Sequence, residues 1–321
     1  MSEPQGSARE RIQLSRHLKV TILLAARNGA EFILQQLESY RAQTYSNWEL
    51  IVSDDGSTDG TLGLIEEFAK SVSQRVVILH GPRQGFWQNF VSLVRCPDVS
   101  GDLFGYSDQD DVWFADKLAD AVAWFERIPE NKPALFCTRT QLVTRQGAPI
   151  GFSRQFGRTP GFANALVQSI GGGNTMIFNR AARLALQKTP TEAQMVAHDW
   201  WTYQIIAGVG GIIHYHPGPS LAYRQHGENV FGKNVGLQAR LTRALGLASG
   251  QMTAWNDINL KLLSRVRSEL LPENVAILDL FAHARTAWLP ARLWLLWRSG
   301  VYRQTAVENF ALYLAAIFGR I

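Results

Sequence analysis

The stretch FGYSDQDDVW, residues 104–113, runs from an apolar start straight into three carboxylates within four positions, Asp108, Asp110 and Asp111. Like charges this close repel, so their place at the end of a buried-looking strand needs a cause. Working outward, short branched apolar runs precede segments of helical spacing. VTILLAA (20–26), WELIVSDDG (48–56), RVVILHG (75–81) and DLFGYSD (102–108) read as strands. Residues 30–43, 57–72, 86–95 and 115–128 read as helices. Alternation of this kind predicts βαβ units and a mainly parallel sheet flanked by helices. In such sheets ligands sit beyond the carboxyl ends of the strands. Residues 27–29, 54–56 and 108–111 all fall there.

Further on, 134–151 suggests two strands, 171–187 a loop, short strand and helix, and 198–210 a helix ending in glycines. Residues 211–229 read as strand, turn, strand, and the chain from about 236 onward as helix.

Helix capping by Asp110 or Asp111 accounts for one carboxylate, at about 1 kcal/mol, and leaves the others unexplained. A calcium EF-hand loop is excluded, because Trp113 and Val112 occupy positions that such a loop reserves for glycine and an oxygen ligand. A divalent cation or a ligand hydroxyl between the acids explains them all. Oxygen ligands of this kind suit Mg²⁺ or Mn²⁺, completed by substrate phosphates. The second acidic end, SDDGSTDGT (53–61), makes an ordinary strand-to-helix turn yet has one carboxylate to spare. A carboxylate can accept the imide N–H of uracil or thymine. SIGGGNTM (169–176) lacks the Lys–Ser/Thr of a P-loop, and no GxGxxG follows the first strand, so neither ATP nor NAD binding is supported.

Taken in order, VTILLAARNG, WELIVSDDGSTDGT, YSDQDDVWFADKL, HDWW and YRQHGENVFG resemble the family 2 glycosyltransferases, over about residues 19–321. Within that family the pattern is most like bacterial rhamnosyltransferases of surface polysaccharide synthesis. The resemblance implies the GT-A fold: Rossmann-like, with a central sheet flanked by helices and a C-terminal helical extension. It implies a donor site at Ala25, Arg27, Asn28, Asp54, Asp55, Asp108, Gln109 and Arg224. Position 27 is commonly Tyr in relatives; an arginine there stacks on a base or reaches a phosphate. Metal ligation falls to Asp110 and His226, with Mg²⁺ or Mn²⁺ as cofactor. Asp199 takes the place of the proton acceptor, with His198 where many relatives carry Glu. Gly172, Gly173, Asn174 and Trp200 fall on the acceptor side, and Gly85 and Asn89 near the donor. The implied reaction is an inverting hexosyl transfer, with L-rhamnose from dTDP-rhamnose as the first donor and a UDP-sugar as the alternative. The acceptor is a saccharide linked to a polyprenyl diphosphate. A sugar nucleotidyltransferase fits less well, since AARNGAE is a poor version of its basic glycine-rich loop. A non-catalytic nucleotide-binding membrane adaptor would need no base at Asp199.

Of 321 residues, 46% are hydrophobic and 18% charged, ample for a core. Cys96 and Cys137 are the only cysteines and form no CxxC pair, which fits a reducing compartment. The polar residues 1–18 read as a flexible tail with no secretory signal, 19–235 as the catalytic domain, and 236–321 as a basic, Trp-rich region. Residues 237–321 carry ten Lys and Arg against five Asp and Glu, equal to the whole chain's net charge of +5. The rest is neutral, which argues against a nucleic-acid surface. TAWLPARLWLLWRSG (286–300) mixes Trp, Leu and Arg, a composition that suits an interfacial helix on anionic lipid. Packing on the catalytic domain or a homo-oligomer contact is the other reading. The expected setting is the cytoplasmic face of the inner membrane, bound peripherally.

Overall fold

The computed structural model describes residues 17–225 and 250–321. Four parallel strands come first: β1 (Val20–Ala26), β2 (Trp48–Asp54), β3 (Val76–His80) and β4 (Leu103–Ser107), in the order β3-β2-β1-β4. Helices α1 (Ile33–Arg41), α2 (Thr61–Ser71) and α3 (Phe86–Arg95) connect them, and α4 (Lys117–Phe125) follows β4 and the two-residue strand β5 (Val112–Trp113). β1 and β2 are covered on both faces, which is why they read as unbroken branched runs. Ile22, Leu24, Leu50 and Val52 pack toward α1 and α4, while Leu23 and Ile51 pack on the opposite face with Phe90 of α3.

The sheet continues through β8 (Ile177–Asn179), β6 (Ala134–Val143) and β9 (Ile212–Arg224), with β5 at that end and β7 (Pro149–Phe152) paired to β6. β8 runs antiparallel to both β4 and β6, and β9 parallel to β6. Six of the nine strands therefore share one direction. Between them lie α5 (Phe162–Ala165), α6 (Arg180–Gln187) and α7 (His198–Gly208). Asn179 ties this region together: its side-chain oxygen caps α6 at Ala182 N (3.0 Å) and accepts from Ala134 N of β6 (3.0 Å).

Two local expectations need correcting. Residues 212–224 form one strand, not two around a turn. The register against β6 shifts where Pro217 and Gly218 are absorbed as a bulge, since proline has no N–H for the ladder. Helix α2 starts at Thr61 rather than at 57, because the side chains of Asp54 and Asp59 hold Ser57 and Thr61 in a turn.

The C-terminal helices are α8 (Gln251–Arg265), α9 (Pro272–Thr286), α10 (Leu289–Ser299) and α11 (Ala306–Ile317). Leu263, Phe281, Leu296 and Leu312 join the same core as Leu166, Tyr203 and Ile206. Asn274 closes the end of α7 by donating to the carbonyls of Ala207 (3.1 Å) and Gly208 (2.9 Å).

Candidate active site

One cavity of about 950 Å³ opens beyond the carboxyl ends of β1, β2 and β4. Its walls bring together Ala25, Arg27, Asp55, Asp108, Gln109, Asp110, Gly172, Gly173, Asn174 and Asp199, all expected from the sequence. His226 lies outside the described residues.

The acidic loop is held from three sides. Gln109 clamps the end of β1, accepting from Arg27 N (2.8 Å) and donating to its carbonyl (2.9 Å). A Cβ at Gly29 would meet the end of the Gln109 side chain, so a larger residue there would push this clamp aside. Asp111 is buried and accepts from Asn174 Nδ2 (2.5 Å) and Arg224 N (3.4 Å). Arg224 is itself buried; it donates to the carbonyls of Asp110 (3.0 Å) and Arg145 (2.6 Å) and to Gln35 (2.6 Å). It does not line the cavity. The structure thus gives it the task of fixing the loop's backbone. Neither Asp110 nor Asp111 caps the following helix: β5 intervenes, and α4 opens at Asp116.

Beneath the loop lies Lys117, a residue that sequence reading missed. Its buried ammonium donates to Asn174 O (2.7 Å) and Ser220 Oγ (3.2 Å) and sits 4.5 Å over the Trp113 ring. Burial pushes its pKa down to about 7, against the pull of Asp111 and Asp108. A lysine directly following an acidic loop gives no signal of burial in one sequence. Burial, then Asp110 and Asp199, push Asp108 up to about 7, with Lys117 opposing. Asp111 is driven the same way, by burial first and then by Asp110 and Asp108.

The DDGS turn divides its acids. Asp54 accepts from Gly56 N (3.1 Å) and Ser57 N (2.9 Å), so its carboxylate is spent on the turn and does not line the cavity. Asp55 lines it, accepting from Arg83 N (2.5 Å) and Gly85 N (3.2 Å). Asn28 sits outside it in the left-handed region (φ 48°), accepting from Thr58 N (2.8 Å). Asn89 lines the wall and holds the Ser53 carbonyl (2.9 Å).

Asp199 stands in the first turn of α7, where the helix N-terminus favours an anion. Burial raises its pKa to about 6, opposed by the N–H groups of Trp200, Asp199 itself and Gly173. Its neighbour His198 is buried with both ring nitrogens lacking protein partners and is stacked on Phe90 (4.0 Å). Burial lowers its pKa to about 3, so the ring is neutral. Trp200 turns away from the cavity, donating from Nε1 to Ala165 O (2.7 Å).

The described residues hold no cluster of three His, Cys, Asp or Glu side chains able to bind a metal alone. Asp108 and Asp110, two carboxylates facing an open cavity, fit a cation that takes its remaining ligands from a phosphorylated substrate.

A mainly parallel sheet with Asp55, Asp108 and Asp110 at its strand ends, and Asp199 in the same cavity, fits a nucleotide-sugar transferase. Residues 21–183 match Glycosyl transferase family 2, and the chain belongs to that family. It is 28% identical over 238 residues to the dTDP-rhamnosyl transferase RfbG of Shigella flexneri, covering 70% of this chain and 78% of that one. Over 99 residues it is 31% identical to the UDP-Glc:alpha-D-GlcNAc-diphosphoundecaprenol beta-1,3-glucosyltransferase WfgD of Escherichia coli, 31% of this chain and 38% of the relative. Its fold is similar to that of the Pyrobaculum calidifontis mannosyltransferase PcManGT in complex with GDP-Man and Mn²⁺ (TM-score 0.50, 18% identity, 94% of this chain and 86% of that one). The S. aureus TarS 1–349 structure compares equally well (TM-score 0.51, 17% identity, 89% and 93%).

Proposed function

We propose that this glycosyltransferase is an inverting, divalent-metal-dependent enzyme that moves L-rhamnose from dTDP-rhamnose to a lipid-linked saccharide in cell-surface polysaccharide synthesis. The observation carrying this reading is that Asp199 lines the same cavity as Asp108 and Asp110, although it lies about 90 residues further along the chain. Asp55 and the end of β1 hold the nucleoside. Asp110, with Asp108 beside it, would hold Mg²⁺ or Mn²⁺, which would supply counter-charge to the departing diphosphate. Asp199 accepts the proton of the acceptor hydroxyl as its oxygen bonds to the anomeric carbon and the bond to the diphosphate breaks. One displacement of this kind inverts the anomeric configuration. Gly172, Gly173 and Asn174 border the acceptor side.

The similarity to a dTDP-rhamnosyl transferase favours that donor. The shorter similarity to a UDP-Glc enzyme keeps a UDP-sugar as the second reading. Incubation with labelled dTDP-rhamnose, UDP-glucose and GDP-mannose tests the choice. Release of sugar from dTDP-rhamnose at ten or more times the rate from the others, about 1.4 kcal/mol of discrimination, is expected. Turnover of the UDP-sugar alone would replace the donor, and turnover of none would remove the reading.

Among the described residues no helix is long and apolar enough to cross a membrane. Helices α10 and α11 instead expose Trp294, Trp297, Phe310 and Leu314, flanked by Trp288 (73% exposed) and Phe318. Arg298 lies 5.3 Å over Trp294, and Arg292 ties the two helices through the Ala316 carbonyl (2.9 Å). Exposed tryptophans beside arginines suit the headgroup layer of an anionic membrane, which supports peripheral attachment at the cytoplasmic face. Flotation with vesicles containing about one-third anionic lipid should carry the full chain upward. Serine at Trp294, Trp297 and Phe310 together should leave most of it at the bottom. Equal flotation would contradict lipid binding, and a lipid-independent dimer lost in the triple variant would assign the face to a second copy.

A further inference from the structure

Lys117 lines no part of the cavity, yet it is tied to the glycine loop that borders it. Gly171, Gly172 and Gly173 carry no side chains with which to anchor themselves. Two ties from other elements reach this loop at Asn174. Its side chain donates to Asp111 Oδ2 (2.5 Å), and its carbonyl accepts from Lys117 Nζ (2.7 Å). The same ammonium donates to Ser220 Oγ of β9 (3.2 Å). That hydroxyl shares a hydrogen bond with Thr138 Oγ1 of β6 (2.6 Å), on the cavity wall. One buried charge therefore joins α4, the glycine loop and the β6–β9 pair.

On its other side the glycine loop meets the start of α7. The Gly173 N–H hydrogen-bonds the Asp199 carboxylate. A Cβ on Gly173 would fall 2.3 Å from His198 Nε2. The His198 ring has little room to give way, being stacked on Phe90 (4.0 Å) and edge-on to Tyr106 (4.9 Å). A shift at Gly173 therefore drives the loop into that ring or draws it off Asp199. Burying an ammonium against a carbonyl and a hydroxyl is costly, even with Asp111 and Asp108 near enough to favour the charge. A methionine would fill a similar volume, so packing alone does not call for lysine. We infer that Lys117 is a positioning residue for the transfer: through the Asn174 carbonyl it sets Gly173 against Asp199 and so fixes where the proton acceptor stands. The inference rests on the transferase reading of the cavity. The acidic loop is held by other routes, Gln109 on Arg27 and Arg224 on the Asp110 carbonyl, so nucleotide binding does not depend on Lys117.

The test compares full-length Lys117→Met, Asp111→Asn and the double variant with wild type. Lys117→Met leaves Asp111 buried without its nearby ammonium and should melt lower. The double variant removes both charges and should recover most of that loss. Sugar release at saturating donor, for whichever of the three donors wild type turns over, should fall about tenfold or more in Lys117→Met, the loss of a charge-assisted hydrogen bond. Asp111→Asn alone keeps the Lys117 tie and should remain about tenfold faster than the double variant. Affinity of Lys117→Met for dTDP with Mn²⁺ should weaken by no more than about threefold. Amide exchange over residues 171–176 should speed up about tenfold in the double variant, while exchange over β4 stays as in wild type. Lys117→Met as fast as wild type overturns the inference. So does a double variant as fast as Asp111→Asn, which makes the lysine a matter of stability only, or unchanged exchange over 171–176. A loss of dTDP affinity parallel to the loss of rate also overturns it, since the effect then lies at the acidic loop. If wild type turns over none of the donors but exchange over 171–176 speeds up as described, the tie stands and the transferase reading falls.

Discussion

Asp199→Asn should lower the transfer rate at saturating substrates by about 10²–10⁴-fold, the contribution of a positioned base. Donor affinity should barely change, because the role assigned to Asp199 is to take the acceptor's proton and not to hold the nucleotide. The amide keeps the shape and can still accept the Trp200 N–H, which is 2.6 Å from Oδ1, but it cannot take a proton. The wild-type pH profile adds a second signature. Asp199 must be ionised to act, and burial has raised its pKa to about 6. Activity should be full above that value and fall as pH drops through it, and the Asn variant should lack this limb. Folding works in the opposite sense. A carboxyl whose folded pKa lies above its unfolded value contributes most to stability at low pH, and that contribution is lost as pH rises through about 6. Removing the charge should therefore not destabilise the protein at neutral pH. Thermal unfolding at pH 7.5 checks this, and separates a chemical defect from a folding one. A variant with unchanged rate would remove Asp199 from the reaction.

Asp110→Asn should cost about 10²–10³-fold in kcat/KM, the size seen when one preorganised electrostatic group is lost. Excess EDTA should produce a loss at least as large in wild type, reversed by Mg²⁺ or Mn²⁺. The substitution leaves intact the Asp110 carbonyl held by Arg224 at 3.0 Å. The loop should therefore keep its course, and only the charge on the cavity side changes. Full activity in EDTA would contradict the cation assignment.

Much of this arrangement is legible in the sequence because each part has a local cause. The strands announce themselves as branched runs, and a parallel sheet forces ligands to the ends where Asp55, Asp108 and Asp110 stand. Asp199 is legible only through the resemblance, since an acid near a helix start has an ordinary structural explanation. What stays hidden depends on distance along the chain. Lys117 reads as a surface lysine, yet it is buried against Asn174 and Ser220, 57 and 103 residues away. Arg224 reads as a phosphate ligand, but its partners Gln35 and Arg145 become neighbours only when β9 joins the sheet. The basic C-terminal region reads as a separate unit, whereas Arg303 and Glu308 form part of the cavity wall. No periodicity within one segment encodes such meetings.

The central claim is that the Asp108–Asp110 loop holds a sugar nucleotide's diphosphate through a divalent cation. Calorimetric titration of dTDP into wild type and Asp110→Asn, each with and without Mn²⁺, tests it most directly. The account predicts that Mn²⁺ tightens dTDP binding to wild type by about tenfold or more, as a bridging cation should, and has little effect on the variant. Equal dTDP affinity in all four titrations would contradict it.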